Sequence, residues 1–505
     1  MKKIKGLTLF TITALIALQG CKKAEQIVTT KQISTGKILS LNATISTSPL
    51  FTNDLGGGMA SDPWVFRAGG NYYYCGTTGG SLWVAKSATL QNIMTQTRTT
   101  IYTPPGGTDY SGNLWAPELH YRSGRWYVYF AADNGDNANH RMHVLQGGTD
   151  ANDPLNGTYT YKAKLAPTTD RWAIDGHPFD YNGQAYFVWS GWEGTTNAAQ
   201  FIYIARMSNP YTISGERVEI SRPDYSWEKI GSPQVNEGPT TLQIGNRLSI
   251  IYSASGSWTD DYCLGRISTT STNLMAKSSW TKLNVPVFKK VGNIYGPGHA
   301  SFTKSPDGLQ NWIVYHCATS AGSGWDRKIN IQQFNYEADL PYFGFPIEKG
   351  VWIPAPSIGT SYAMPLANGT YRVKSRASNL VLDVPNSQST IGLEIQQYTD
   401  NGSSAQKWVF TSLGNGYYKI ISAVSGLALS NPTSKNAGAI VVQSNYTGSM
   451  EQQWRVQDMT NGNFQLTNRL SLMNLNLPNS NPAVGTKIDQ WYINNFDAEL
   501  WQIIP

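Results

Sequence analysis

Apolar and polar positions along the 505 residues alternate in short runs, and the stretches of Ala, Leu, Glu and Lys that sustain long helices are missing. Aromatic-rich stretches bounded by Gly, Asn and Asp turns predict strands instead. Five segments share one layout: a polar opening, an apolar stretch, a tight turn and an aromatic strand. They open at Asp62-Pro63-Trp64-Val65, Pro117-Glu118-Leu119-His120, Asp175-Gly176-His177-Pro178, Glu237-Gly238-Pro239-Thr240 and Gly298-His299-Ala300-Ser301. Turns such as Gly69-Gly70, Ser123-Gly124 and Asn182-Gly183 carry a hairpin signature. The markers Asp62, Glu118, Asp175, Glu237 and His299 stand 56, 57, 62 and 62 residues apart. Units of about 60 residues, repeated five times, predict a five-bladed β-propeller with one four-stranded sheet per unit.

A second repeat follows. Trp408, Trp454 and Trp501, each after a Gln- or Glu-containing step, are spaced 46 and 47 residues apart. Each unit opens on an aromatic strand (Tyr371, Tyr418, Phe464) and continues into a Leu-rich middle (Leu380 to Asp383, Leu427 to Ser430, Leu475 to Leu477). Three such units predict a β-trefoil with the Trp in its shared core. The fold class is therefore all-β, with the propeller at 48–358, a boundary near Pro354 to Ser357, and the trefoil at 361–505.

The start of the chain reads as an address. Lys2, Lys3 and Lys5 precede an apolar run from Leu7 to Leu18, too short to span a membrane comfortably. The run ends in Leu18-Gln19-Gly20-Cys21, which resembles the lipobox of bacterial lipoproteins. The resemblance implies a signal peptide over 1–20, lipidation of Cys21, and a membrane attachment through lipid alone, in the periplasm or on the outer-membrane surface. Residues 21–47, rich in Ser, Thr and Lys, read as a flexible tether. Cys75, Cys263 and Cys317 fit no metal spacing and are expected to be buried thiols.

Composition narrows the functions. Charged residues are 14% of the chain, and three of the six excess positive charges lie in the leader, so nucleic acid is not an expected partner. The chain is expected to be a monomer. The 17 Trp and 28 Tyr suit a neutral ring-shaped ligand such as a sugar, and they equally suit sheet cores.

In a propeller the matching positions of the inner strands converge on one channel. Four carboxylates and a histidine would meet there, an arrangement that costs stability unless the acids are paired, hydrated or used. Glycoside hydrolysis uses two carboxylates in different environments, and a third can tune one of them. A sugar- or metal-binding propeller is the other reading of these residues.

Ala60-Ser61-Asp62-Pro63-Trp64-Val65, Ala173-Ile174-Asp175-Gly176 and Val235-Asn236-Glu237-Gly238-Pro239 resemble the three acidic motifs of glycoside hydrolase family 43. Trp115-Ala116-Pro117-Glu118 and Tyr295-Gly296-Pro297-Gly298-His299 resemble it as well. The resemblance implies Asp62 as general base, Glu237 as general acid, Asp175 as the group that raises and orients Glu237, and inversion at the anomeric carbon. It implies His299 at the channel's centre, beside water or a structural calcium, and Arg327 on the sugar; Glu118 is the weakest of the four acids and reads instead as a structural hydrogen-bond acceptor. No cofactor is required. Trp64, Trp115, Trp192 and Trp258 are candidates for stacking on sugar or for core packing. The segment from Tyr295 to Gly308 looks most like the exo-acting α-L-arabinofuranosidases, with β-xylosidases, galactan-active members and non-catalytic glycan binders as alternatives; the expected partner is a plant-type polysaccharide. Residues 361–505 resemble the ricin-type trefoil of carbohydrate-binding module family 13. That resemblance implies a sugar site at Asp383, Tyr398, Asn401 and Gln406 in the first repeat. The second repeat has Ser430 in place of the Asp, and the third has Asn476, Trp491, Asn495 and Glu499.

Overall fold

A computed structural model describes residues 49–58, 60–358, 365–414 and 416–505. The signal peptide, Cys21 and the tether expected from the sequence lie outside the described residues. The described chain is a five-bladed β-propeller followed by a β-trefoil. Its helices are 3-10 turns of three to six residues, and among the described residues none is long and apolar enough to cross a membrane.

Each blade is a four-stranded antiparallel meander. The inner strands are Trp64–Ala68, Gly112–Arg122, Ala173–Tyr181, Gln234–Ile244 and Tyr295–Lys304. The hairpins follow from their turns. Tyr181 pairs with Gln184 across Asn182 and Gly183, whose φ values of 49° and 77° are the left-handed pair that a two-residue turn matching strand twist requires. The core is divided among the gaps between neighbouring blades. One cluster joins Tyr73 and Val84 to Leu119 and Phe130. Others join Tyr129 to Phe187, Val188 to Ile250, and Ile251 to Tyr315. The fifth closes the ring, packing Val65, Tyr74 and Trp83 against Trp312, Val314 and Ile331. Asn53 fastens the same seam: its amide donates to the Ile347 carbonyl at 2.9 Å and accepts the Ile331 N–H at 2.9 Å.

A bulge interrupts four of the inner strands, between Trp115 and Glu118, Ile174 and His177, Glu237 and Thr240, and Gly298 and Ser301. At each bulge, and just before the inner strand of the first blade, one residue is left-handed: Asp62 at φ 49°, Ala116 at 40°, Asp175 at 56°, Gly238 at 54° and His299 at 46°. Such conformations cost about 1–3 kcal/mol each for residues other than glycine, and they concentrate at functional sites. The structural repeat thus differs from the sequence repeat in two blades. Ala116, not Glu118, is the counterpart of Asp62 and Asp175, and Gly238, not Glu237, fills that place in the fourth blade. A bulge adds a residue that even spacing cannot reveal.

In the trefoil, Trp408, Trp454 and Trp501 are fully buried, and their indoles donate to the carbonyls of Leu382 at 3.2 Å, Leu429 at 2.9 Å and Leu475 at 3.0 Å. The three repeats share one core around them. The trefoil docks on the fifth blade. Asn335 donates to the Arg469 carbonyl at 3.0 Å, Tyr342 to the Ser471 carbonyl at 3.2 Å, and Phe345 meets Tyr492 edge-on at 4.6 Å.

Glu499 stands where the first repeat has Gln406. Gln406 accepts the Asn401 N–H at 2.9 Å and donates to the Thr399 carbonyl at 2.8 Å. Glu499 accepts the Asn494 N–H at 3.1 Å, but its Oε1 is buried without a partner. Burial pushes its carboxyl up to about 8, with the Asn474 amide opposing. A carboxyl raised in the folded state binds its proton more tightly there than in the unfolded chain, so stability falls as pH rises from about 4.5 to about 8. Glu499→Gln restores the missing donor and removes that slope. Urea unfolding is expected to show the variant near wild type at pH 5 and more stable by about 1–3 kcal/mol at pH 9.

Candidate active site

The left-handed turns bring Asp62, Asp175 and His299 to one end of the channel with Glu237. His299 Nδ1 lies 3.3 Å from Asp62 Oδ1 and 3.9 Å from Asp175 Oδ2. Asp62 is the most heavily held. Its Oδ1 sits 3.4 Å from an Arg327 guanidinium nitrogen and 3.3 Å from His316 Nδ1, and its Oδ2 accepts the Ser61 hydroxyl at 3.2 Å. Burial alone would raise this carboxyl; Arg327, followed by His299 and His316, overcomes it and holds the group well below the usual carboxylate range. Asp62 is therefore an anion at every working pH.

Glu237 has the opposite environment. It is buried, and Tyr262 donates its hydroxyl to Oε1 at 2.8 Å. Burial, with the Asp62 charge adding to it against the Tyr262 hydrogen bond, pushes Glu237 up to about 7. Asp175 is raised as well, by burial and then by the Glu237 charge. The Glu237 charge acts on Asp175, so the two carboxyls do not ionise independently. Asp175 Oδ2 also accepts the Gly238 N–H at 2.9 Å, which ties it to the backbone beside Glu237. One carboxylate kept ionised and another kept protonated, in one channel, is the pairing that general acid–base chemistry at a glycosidic bond requires.

The sequence named five of these groups and missed two. His316 comes from the middle of the strand Asn311–Ala318, and Tyr262 from the residue before the strand Cys263–Thr269. Their rings lie parallel at 5.5 Å and together back Asp62 and Glu237. Neither sits in an inner-strand motif. The one available signal was scarcity: the chain has six histidines, and four of them line this channel.

Glu118 does not join the acid cluster. It lies two residues past its blade's left-handed turn, where its Oε2 is 2.8 Å from His120 Nε2 and 2.8 Å from His177 Nδ1. Trp64 is beside it, with its ring 4.5 Å from that of His120 and its indole donating to the Leu119 carbonyl at 2.9 Å. Trp115 lies against His140 at 4.0 Å. Trp192 is buried and stacked on Trp172 at 4.8 Å, which assigns it to the core. Trp258 meets the edge of Trp325, a ring 64% exposed and two residues from Arg327. Around His299 a calcium ion would find Asp62 Oδ1 and Asp175 Oδ2, too few for the six to eight oxygens it takes unless water supplies the rest. Cys75, Cys263 and Cys317 are buried free thiols.

In the trefoil's first repeat, Asp383 is buried and accepts the Gln396 amide at 2.9 Å, beside Tyr398, which is 40% exposed. Gln406 is itself buried and, through the bonds given above, shapes the loop carrying Asn401. The second repeat pairs Ser430 with Val442 and has no acid there. In the third, Asn476 donates to Asp489 at 2.7 Å, so acid and amide have exchanged strands. Asn495 does not face that site: it donates to the propeller's Trp352 carbonyl at 3.1 Å, and Asn494 is the counterpart of Asn401.

A propeller with this acid pair defines a class, and comparison with known proteins gives it a family. Residues 51–340 match Glycosyl hydrolases family 43, and the chain belongs to that family. Residues 361–443 and 404–491 match the ricin-type beta-trefoil lectin domain. The chain is 38% identical over 324 residues to an extracellular exo-alpha-(1->5)-L-arabinofuranosidase of Streptomyces avermitilis, covering 61% of this chain and 66% of that protein. It is 35% identical over 304 residues to alpha-L-arabinofuranosidase 43 of Humicola insolens, covering 57% of this chain and 62% of that protein. The chain thus spans less than two thirds of the length of these two relatives. A solved alpha-L-arabinofuranosidase from Lactobacillus brevis superposes with a TM-score of 0.55 at 30% identity, over 59% of this chain and 98% of that one.

Proposed function

We propose that this chain is an inverting glycoside hydrolase that releases L-arabinose from the non-reducing ends of arabinan or of arabinose-decorated plant polysaccharide. The observation that carries the reading is the opposed setting of two carboxyls in one channel: Asp62 lies against Arg327, His316 and His299, which favour its ionised form, and Glu237, beside Tyr262, is buried, which favours its protonated form. A pure binder has no use for a base held ionised opposite an acid held protonated. The sugar is argued from the relatives, two of which are named as arabinofuranosidases.

In the mechanism, Asp62 takes a proton from a water on one face of the sugar while Glu237 gives its proton to the departing oxygen on the other. Burial and the Asp62 charge keep Glu237 protonated until the bond breaks, and Asp175, held by the Gly238 N–H, orients it. Arg327 keeps Asp62 ionised and is placed to reach the sugar, with His299 closing the channel's centre and Trp64 and Trp115 flanking it. Asp383, Tyr398, Asn401 and Gln406 form a second, non-catalytic sugar site that keeps the enzyme on its polysaccharide. The chain is exported and lipid-anchored through Cys21, and one relative bears the word extracellular in its name.

Digestion of linear arabinan, followed by chromatography from the first minutes, tests this. Arabinose is expected as the sole early product, with NMR showing the inverted anomer first. Early arabino-oligosaccharides overturn exo action, and release of xylose alone from a panel of nitrophenyl glycosides overturns the sugar. Asp383→Ala is expected to lower retention on insoluble arabinan while leaving turnover of a nitrophenyl arabinoside unchanged.

A further inference from the structure

We propose that Glu118, His120 and His177 form a binding site for one zinc-class divalent cation, set in the propeller channel one step along the inner strands from the acid cluster. Two ring nitrogens and one carboxylate oxygen, drawn from two blades, converge within 4.8 Å of one another. Two imidazoles and a carboxylate suit zinc, cobalt or nickel far better than calcium, which takes oxygen.

The rings are already oriented as ligands. His177 has its other nitrogen, Nε2, 2.9 Å from the Thr241 hydroxyl, which fixes Nδ1 toward Glu118. Outer partners of this kind set the tautomer and direction of metal-binding histidines. Trp64 packs against both rings, at 4.5 Å and 5.4 Å, and limits their rotation. Glu118 and His177 are buried, while His120 is partly exposed and offers a way in from solvent.

Without metal, both rings meet Glu118 Oε2 at 2.8 Å. A zinc about 2.0–2.1 Å from each donor places neighbouring donors about 3.3 Å apart in a tetrahedron. The carboxylate must therefore withdraw from each ring by about half an ångström, and the two ring nitrogens, which lie within 4.8 Å of each other, must close toward the same spacing, leaving the fourth position for water. The ion would brace the second and third blades across the channel.

The experiment uses the full chain, stripped with a chelator and titrated with Zn2+ by calorimetry, with bound metal counted by mass spectrometry. One zinc per chain is expected, with a melting temperature raised by a few degrees. His120→Gln is expected to weaken binding at least about 100-fold, and Asp62→Asn to leave it unchanged, which separates this site from the acid cluster. The other five histidines are buried, so the background from surface sites is small. Absence of stoichiometric zinc in the folded wild type, or zinc retained at full affinity by folded His120→Gln, overturns the proposal. If the variant does not fold, the Co2+ spectrum of the wild type decides. Strong tetrahedral or five-coordinate bands support nitrogen ligation in the channel, and a weak octahedral all-oxygen spectrum overturns it.

Discussion

Glu237→Gln is expected to lower kcat on arabinan by about 10²–10⁴-fold, the range over which a positioned acid contributes to catalysis. The amide keeps the shape and the contact with Tyr262 but has no proton to give. The loss depends on the leaving group. An arabinoside of an acidic phenol departs with little help, so its kcat is expected to fall far less than that of arabinan; equal losses on both would show that Glu237 is not the acid. The pH dependence follows from its environment. Burial raises Glu237 to about 7, so the group is protonated and active below that pH, and kcat/KM declines on the alkaline side. The same shift acts on stability with a definite sign. The folded state holds this proton where the unfolded chain has released it, so the Glu237 contribution falls as pH rises from about 4.5 to about 7. Glu237→Gln removes both dependences, which paired pH profiles of turnover and urea unfolding would show.

Asp62→Asn is expected to cost about 10²–10⁴-fold in kcat with either leaving group, because activation of water is needed whatever departs. That indifference to the leaving group separates it from Glu237→Gln. A second effect accompanies it. Asp62 neutralises the Arg327 guanidinium at 3.4 Å, and the amide leaves a buried cation without its counter-charge. Breaking a buried pair in this way costs about 3–5 kcal/mol at full burial. Arg327 and Asp62 each keep some side-chain exposure, 14% and 20%, so the expected loss is smaller, about 1–3 kcal/mol. Asp62 is depressed, so its stabilising contribution is present above its unfolded value of 3.8 and is lost only as pH falls through the much lower folded value. In the wild type, kcat/KM is thus expected to stay flat from pH 6 to pH 4.5, and a steep acid limb in that window would contradict the assignment of Asp62 as the ionised base.

Much of this was legible in the chain because a repeat is a strong periodic signal. The hairpin turns marked the blades, and the three Trp marked the trefoil. Asp62, Asp175, Glu237 and His299 were found because each stands beside a turn that recurs in every blade. The errors came where counting and geometry part. Glu118 has the right spacing, yet the bulge after Trp115 carries it past the acid cluster and onto two histidines. Asn495 has the right residue type one position away from the right place, because the loop turns at its φ of 61°. His316 and Tyr262 were out of reach for another reason. They come from the second strand of the fifth blade and the end of a loop in the fourth, and only the closed ring brings them to the acids. Spacing along one strand carries no information about which neighbour leans in from the next.

The seam between the fifth blade and the trefoil bears on how the protein works along a polymer. Asn335, Tyr342, Phe345 and Asn495 hold the two domains by hydrogen bonds and an aromatic contact. A lectin domain on a loose leash lets its partner sweep a sphere, and the chance of meeting a chain end falls with the volume swept. A docked one turns that sphere into a fixed offset. On the function proposed above, a trefoil gripping a strand would set the mouth of the propeller at one distance and bearing from the grip, so that chain ends at that offset would be cut and others would wait for the grip to change. Branch density and spacing in the polysaccharide, more than its bulk concentration, would then set the rate of arabinose release.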